Sequence, residues 1–146
     1  MRCWSKHCYV CGEDNEYGLR LKFCFNSGVA FTHGKFRKEW EGFPGVVHGG
    51  VVAAVLDEVM WYAALSNFKE YNFFTYELNV MYKRSSAAGS FEAFAKVIEA
   101  SKRKCVVEAK LYQNGQLKAQ GRGVYLKTLR KVNLDREMKC IESEEG

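Results

Sequence analysis

Two carboxylates, Asp57 and Glu58, stand side by side in one of the most apolar stretches of this 146-residue chain, Val51 to Leu65. An ionised carboxylate is costly to bury without partners. At least one of the pair must therefore be hydrogen-bonded, held at a raised pKa, or both. On a helix adjacent residues point about 100° apart, so the two cannot share one exit to water. A carboxyl group of raised pKa in an apolar crevice suits a general base or a nucleophile. The competing reading is a helix-surface acid paired with a neighbouring cation.

Gly49 and Gly50 fall where that apolar run begins, directly after His48. The first amides of a helix have no intrahelical acceptor and lie at the positive end of its dipole. Glycine there lets a ligand carbonyl approach, so the helix start can receive a developing oxyanion. The alternative is a tight loop entry that merely tolerates glycine. Gly49 and Asp57 are eight residues apart, about 12 Å along a helix axis. A single carbonyl cannot touch both within one chain. Two such helices packed antiparallel about a two-fold axis bring one chain's Gly49 near the other's Asp57, which predicts two composite sites per homodimer.

The surrounding pattern supplies the frame. Leu21 to Phe25 and Val29 to Phe36 alternate around Asn26-Ser27-Gly28 as a hairpin. Gly42 to Gly50 is a loop holding the only proline, Pro44, and a helix is expected from Val51 to about Ser66. The stretches 73–84, 90–100, 104–113 and 116–127 read as strands, with Asn114-Gly115 a strong two-residue turn signal. No second helix links strands in parallel. The expected class is α+β, an antiparallel sheet of five to six strands curled around one long helix. The helix is apolar on nearly all sides, so what the sheet leaves bare is expected to meet a partner subunit. One domain is expected over residues 1–127, opening with a cysteine-containing turn segment at 1–18, and residues 128–146 form a charged tail.

Hydrophobic residues make up 47% of the chain and charged residues 27%, as in ordinary soluble domains. No uninterrupted apolar run reaches the roughly 18 residues of a membrane span, and the start MRCWSKHCYVCGEDNE lacks the apolar core of a secretory signal. A cytoplasmic protein with mostly reduced cysteines is expected. The net charge of +5 suits an anionic small ligand or cofactor phosphates. Neither an RNA-binding aromatic signature nor a paired zinc knuckle is present, so no nucleic-acid or membrane partner is expected.

The segment HGGVVAAVLDE, with EGFPGVV before it and the amino-terminal CYVCGEDNEYGLRLKF, resembles the hotdog-fold acyl-coenzyme A thioesterases of the PaaI-like type. The likeness extends over about residues 8–127 and includes the strand order. It implies a long helix wrapped by an antiparallel sheet, and dimers that pair into tetramers. It implies an acyl-CoA substrate, with no cofactor beyond the coenzyme A of that substrate and no catalytic metal. Carried over, Asp57 is the catalytic carboxylate and the Gly49 amide, beside Gly50, polarises the thioester carbonyl. His48 is a positioning group, or else a loop cap. Many relatives have asparagine six residues before the histidine, where this chain has Gly42; the neighbouring Glu41 is the residue that would substitute. In FFTYELNVMYKR, strict alternation puts Phe74, Tyr76, Leu78, Val80 and Tyr82 on one face and Thr75, Glu77 and Asn79 on the other. The resemblance places Thr75 near the aspartate, and Glu77 and Tyr82 near coenzyme A. Its phosphates are expected at the turn Ala100 to Cys105, on Ser101, Lys102, Arg103 and Lys104, with Lys83 and Arg84 weaker candidates.

Cys3, His7, Cys8 and Cys11 crowd the amino terminus, with Cys24 further on. One CxxC without a second pair reads first as structural cysteines, with a metal or redox site as the alternative. The leading functional expectation is thioester hydrolysis. A non-catalytic acyl-thioester binder would use the same crevice. A hotdog dehydratase or hydratase would need a histidine-containing segment of another pattern, which is absent. The aromatics Phe43, Trp61, Tyr62, Phe73 and Phe74 admit aryl or aliphatic acyl chains alike.

Overall fold

The computed structural model describes residues 6–68 and 71–131. Six strands form one antiparallel sheet: β1 (Cys24–Asn26), β2 (Val29–Phe36), β3 (Tyr71–Tyr82), β4 (Gly89–Ala100), β5 (Lys104–Gln113) and β6 (Gln116–Lys131). A 3-10 turn (Lys38–Trp40) and the single long helix α1 (Gly49–Phe68) separate β2 from β3. The spatial order is β1-β2-β4-β5-β6-β3, so β3 crosses the sheet to become its far edge. This is the expected hotdog arrangement. Asn114 and Gly115 both take positive φ in the β5–β6 hairpin, the conformation for which that pair is suited.

The helix lies close to the sheet because the facing strand positions are small. Along β5 and β6 the positions that pair across the ladder alternate inward: Val107 opposite Gly123, Ala109 opposite Gly121, Leu111 opposite Ala119. A Cβ on Gly121 would stand 3.1 Å from the Met60 side chain. Onto this floor α1 packs Val55, Leu56, Val59, Met60, Tyr62, Ala63 and Ala64, all fully buried. By length and hydropathy α1 would also suffice to cross a membrane, but here it is the core helix of a wrapped sheet. Its less covered stripe carries Ala53, Asp57 and Trp61, spaced four residues apart, with Ala54 and Glu58 alongside.

Three expectations need correction. The helix extends two residues beyond each predicted end, since Gly49 and Gly50 are helical and Asn67 and Phe68 continue it. The first strand is shorter than predicted, because residues 21–23 lead into it outside any ladder. Strand β6 runs on to Lys131 because its end pairs with the start of β3, Lys131 opposite Tyr71, so the sheet outlasts the boundary expected at 127. The tail from 132 and Cys3 lie outside the described residues.

Alternation along β3 also fails, and for a local reason. Thr75 pairs with Tyr125 while Glu77 pairs with Val124, leaving Tyr76 as an extra, bulged residue. Past the bulge the faces exchange. Thr75 sits opposite buried Tyr125, and Leu78, Val80 and Tyr82 sit opposite Gly123, Gly121 and Ala119 on that same helix-facing side. Thr75 and Tyr82, expected on opposite faces, therefore share one.

Candidate active site

Asp57 is held by two hydroxyls, each from a neighbouring strand. Thr75 Oγ1 of β3 donates to Asp57 Oδ1 at 2.9 Å. Tyr125 Oη of β6 reaches the same oxygen at 2.9 Å and the Asp57 carbonyl at 3.1 Å. Both side-chain bonds land on Oδ1, and among the described residues no donor reaches Oδ2. Burial raises the Asp57 pKa, while the hydrogen bonds from Thr75 and Tyr125 pull it back. No cation pairs with it among the described residues, so the bland alternative of a surface ion pair does not apply. The result is a basic carboxylate of fixed orientation with one free oxygen.

Tyr125 was not singled out in the sequence, where it is one aromatic among many in a β-strand. Its signal lies two residues earlier. A Cβ on Gly123 would stand 2.6 Å from the Tyr125 ring, so the glycine gives the ring the space through which it reaches the helix. Burial, and after it the Asp57 charge, raises the Tyr125 pKa, which keeps the phenol protonated as a donor.

His48 caps the helix. Its carbonyl accepts from Val51 N–H at 2.9 Å, and its Nδ1 accepts from Gly50 N–H at 2.8 Å. This satisfies the Gly50 amide and leaves Gly49 N–H without an acceptor among the described residues. With Nδ1 accepting, the neutral ring carries its proton on Nε2. The Gly49 carbonyl is fixed by Tyr82 Oη at 2.6 Å. Tyr82 thus braces the helix start.

Glu41 accepts from the Gly45 amide and ties its own loop, at the His48–Gly49 end of α1. Gly42 has a steric explanation: a Cβ there would lie 3.1 Å from His48 Cα and 3.2 Å from its ring. Any larger residue there would require His48 to give way by a few tenths of an ångström. Glu77 is exposed and, past the bulge, on the outer face. Phe43 is 78% exposed, whereas Tyr62 and Phe73 are buried in the core. Phe73 stacks on Trp61, with ring centroids 4.8 Å apart, beside the Asp57 stripe. Exposed Ser101, Lys102, Arg103 and Lys104 form the β4–β5 turn. The register sets Lys104 one residue beyond the row Cys105–Tyr125–Thr75, so this basic turn borders the Asp57 end of the sheet. Lys83 and Arg84 follow Tyr82 at the Gly49 end.

Glu58, about 100° round the helix from Asp57, meets the amino-terminal turn. Its Oε2 lies 3.6 Å from Cys8 Sγ and its Oε1 3.7 Å from Cys11 Sγ. Burial and then the Asp57 charge push its pKa up to about 7. Cys8 and Cys105 are free thiols. Cys11 and Cys24 are disulfide-bonded, which corrects the expectation of mostly reduced cysteines for these two.

The sequence profile of the thioesterase superfamily matches residues 44–120, from Pro44 through the helix to the middle of β6. A conserved protein of Pseudomonas aeruginosa is 30% identical in sequence, covering 74% of this chain and 88% of that one, with a TM-score of 0.69. The phenylacetic acid degradation protein PaaI of Thermus thermophilus, in a single-residue mutant form, matches at 24% identity over 74% of this chain and 93% of its own, also with a TM-score of 0.69. A protein of Streptococcus mutans bound to acetyl-CoA shares the fold at 16% identity, over 74% of this chain and 88% of that chain, with a TM-score of 0.69. With the Asp57 and Gly49 block inside the matched region, the chain belongs to the thioesterase superfamily, in the hotdog fold.

Proposed function

We propose that this protein hydrolyses an acyl-coenzyme A thioester to the free acid and coenzyme A, at two composite sites of a homodimer. Asp57 removes a proton from water, and the resulting hydroxide attacks the thioester carbonyl. The oxyanion forms against the partner's Gly49 amide, and its collapse expels the thiolate, which takes up a proton. The reaction needs no cofactor beyond the coenzyme A of the substrate.

The observation that carries this reading is Asp57 itself: a part-buried carboxylate fixed through one oxygen, with the other free. The composite site is supported by α1 being continuous from Gly49 past Asp57, which keeps the two about 12 Å apart within one chain. The edge strand β3 supports dimerisation. It is 12 residues long and leaves Phe74, Tyr76, Leu78, Met81 and Tyr82 between 37% and 65% exposed. A long apolar edge of this kind is an aggregation hazard unless another strand pairs with it. A second copy of β3 would lay the two Asp57 stripes side by side. The basic turn 101–104 supplies cations for phosphates, and the acetyl-CoA complex of the similarly folded Streptococcus mutans protein supports the ligand class.

The test is thiol release from a panel of acyl-CoA esters by wild type and Asp57→Asn. Asp57→Asn is expected to lower kcat by roughly 100- to 10,000-fold with unchanged circular dichroism. Wild-type turnover by the variant on a good substrate would overturn the assignment. Binding of acyl-CoA without thiol release by wild type would instead favour the non-catalytic binder.

A further inference from the structure

The contact between Glu58 and the amino-terminal cysteines has no role in the proposed hydrolysis. Thiols are weak hydrogen-bond donors, and sulfur is a poor partner for a largely buried carboxylate that has no cation beside it among the described residues. The local backbone has the form of a metal knuckle. In Cys8-Tyr9-Val10-Cys11-Gly12 the chain reverses sharply, Gly12 N–H bonding the Cys8 carbonyl at 2.8 Å. The Cys11 N–H points at Cys8 Sγ at 3.5 Å. Such N–H···S contacts favour a thiolate. A Cβ on Gly12 would lie 2.5 Å from the Cys8 carbonyl oxygen, so only glycine allows the reversal.

The spacing of the donor atoms is the second argument. One ligand atom each from Cys8, Cys11 and Glu58 lies within 4.8 Å of the others. Zinc bonds thiolate at about 2.3 Å and carboxylate at about 2.0–2.2 Å, so a tetrahedral ion separates sulfur from oxygen by about 3.5–3.7 Å. The carboxylate offers one oxygen to each sulfur in that range, Oε2 at 3.6 Å from Cys8 Sγ and Oε1 at 3.7 Å from Cys11 Sγ. Two thiolates and one carboxylate also cancel the charge of a divalent ion, with one charge left over. Calcium and magnesium prefer all-oxygen shells, so the donor set selects a thiophilic metal.

We propose that Cys8, Cys11 and Glu58 form a zinc site that is open only when the Cys11 disulfide is reduced. A dithiol reductant supplies two electrons and two protons: the Cys11 disulfide becomes two thiols and the reductant becomes a cyclic disulfide. Zinc then displaces the protons of Cys8 and Cys11 to water and binds their thiolates with the Glu58 carboxylate, leaving a fourth position for water. Oxidation of Cys11 removes one ligand and releases the ion. Glu58 adjoins Asp57 but points about 100° round the helix from it, toward the amino-terminal turn, so the ion would be held by that turn and not by Thr75 or Tyr125.

The experiment is metal analysis of the full-length protein after zinc loading and gel filtration, reduced with a dithiol or oxidised with diamide. The reduced protein is expected to retain about one zinc per chain, and the oxidised protein at least tenfold less. Cys8→Ser and Glu58→Gln should each lower retention at least tenfold, while Cys105→Ser, at a free thiol outside the cluster, retains it. Cobalt(II) in place of zinc should give a thiolate-to-metal charge-transfer band that is lost in Cys8→Ser; circular dichroism of each variant establishes that it folds. Absence of zinc from reduced, folded wild type would overturn the proposal. So would equal retention by Cys8→Ser, or by reduced and oxidised protein.

Discussion

Tyr125 Oη lies 2.9 Å from the Asp57 carboxylate and 3.1 Å from its backbone carbonyl, so one phenolic proton is shared between the side chain and the main chain of a single residue. Tyr125→Phe keeps the buried ring and removes only the hydroxyl. Hydrogen bonds to charged groups contribute about 1.5–3 kcal/mol, and the expected fall in kcat is roughly 10- to 100-fold with KM little changed. Steady-state kinetics on the best acyl-CoA of the panel checks it.

Gly49 offers a test of the composite site that leaves the helix intact. Proline is well tolerated at the first helical position, where it removes a single N–H. A Cβ there meets the Tyr82 ring at 3.5 Å, an ordinary contact. Gly49→Pro should therefore lower kcat by roughly 100- to 1,000-fold, as loss of an oxyanion donor does. Gly49→Pro and Asp57→Asn protomers, unfolded and refolded together, should regain about one quarter of wild-type activity, since half the dimers are mixed and each has one intact site. No regain above the separate variants would show that both groups act within one chain.

The basic turn makes a salt-dependent prediction. Replacing Lys102, Arg103 and Lys104 together with alanine should raise KM for acyl-CoA about tenfold at low ionic strength, and less at high salt, because exposed phosphate contacts are screened. Hydrolysis of the matching acyl-pantetheine ester, which lacks the nucleotide phosphates, should be unaffected. Comparing the two substrates separates phosphate binding from damage to the sheet.

Cys105 gives a stability prediction with a definite sign. Burial pushes its thiol up to about 11, from the ordinary 9.0. Because the folded pKa is the higher, the contribution is fully present below pH 9 and is lost as pH rises through 9 towards 11. Denaturant unfolding across that range should show wild type losing more stability than Cys105→Ala, by about 2 kcal/mol. Parallel curves for the two proteins would contradict it.

Much of this was legible in the residues. The apolar helix with two adjacent acids, the glycines at its start and the Asn114-Gly115 hairpin each follow from local rules, and together they specify the layout. Asp57 was legible because an acid in an apolar helix needs partners. Its partners were only half legible: Thr75 came from the resemblance, while Tyr125 acts through the cross-strand register, which sequence spacing does not contain. The bulge at Tyr76 was invisible for the same reason, since the stretch alternates well enough to be read straight through. Glu58 and the Cys8 turn are about 50 residues apart in sequence, and only the fold of the amino-terminal segment over α1 brings them together.

The bulge at Tyr76 works as a gauge. One end of β3 steadies Asp57 through Thr75, and the other steadies the Gly49 carbonyl through Tyr82. The single surplus residue between them keeps both ends turned toward the helix. Shortening β3 by that residue would let either tether persist but not both, so the length of an edge strand keeps the helix start and its buried acid in step.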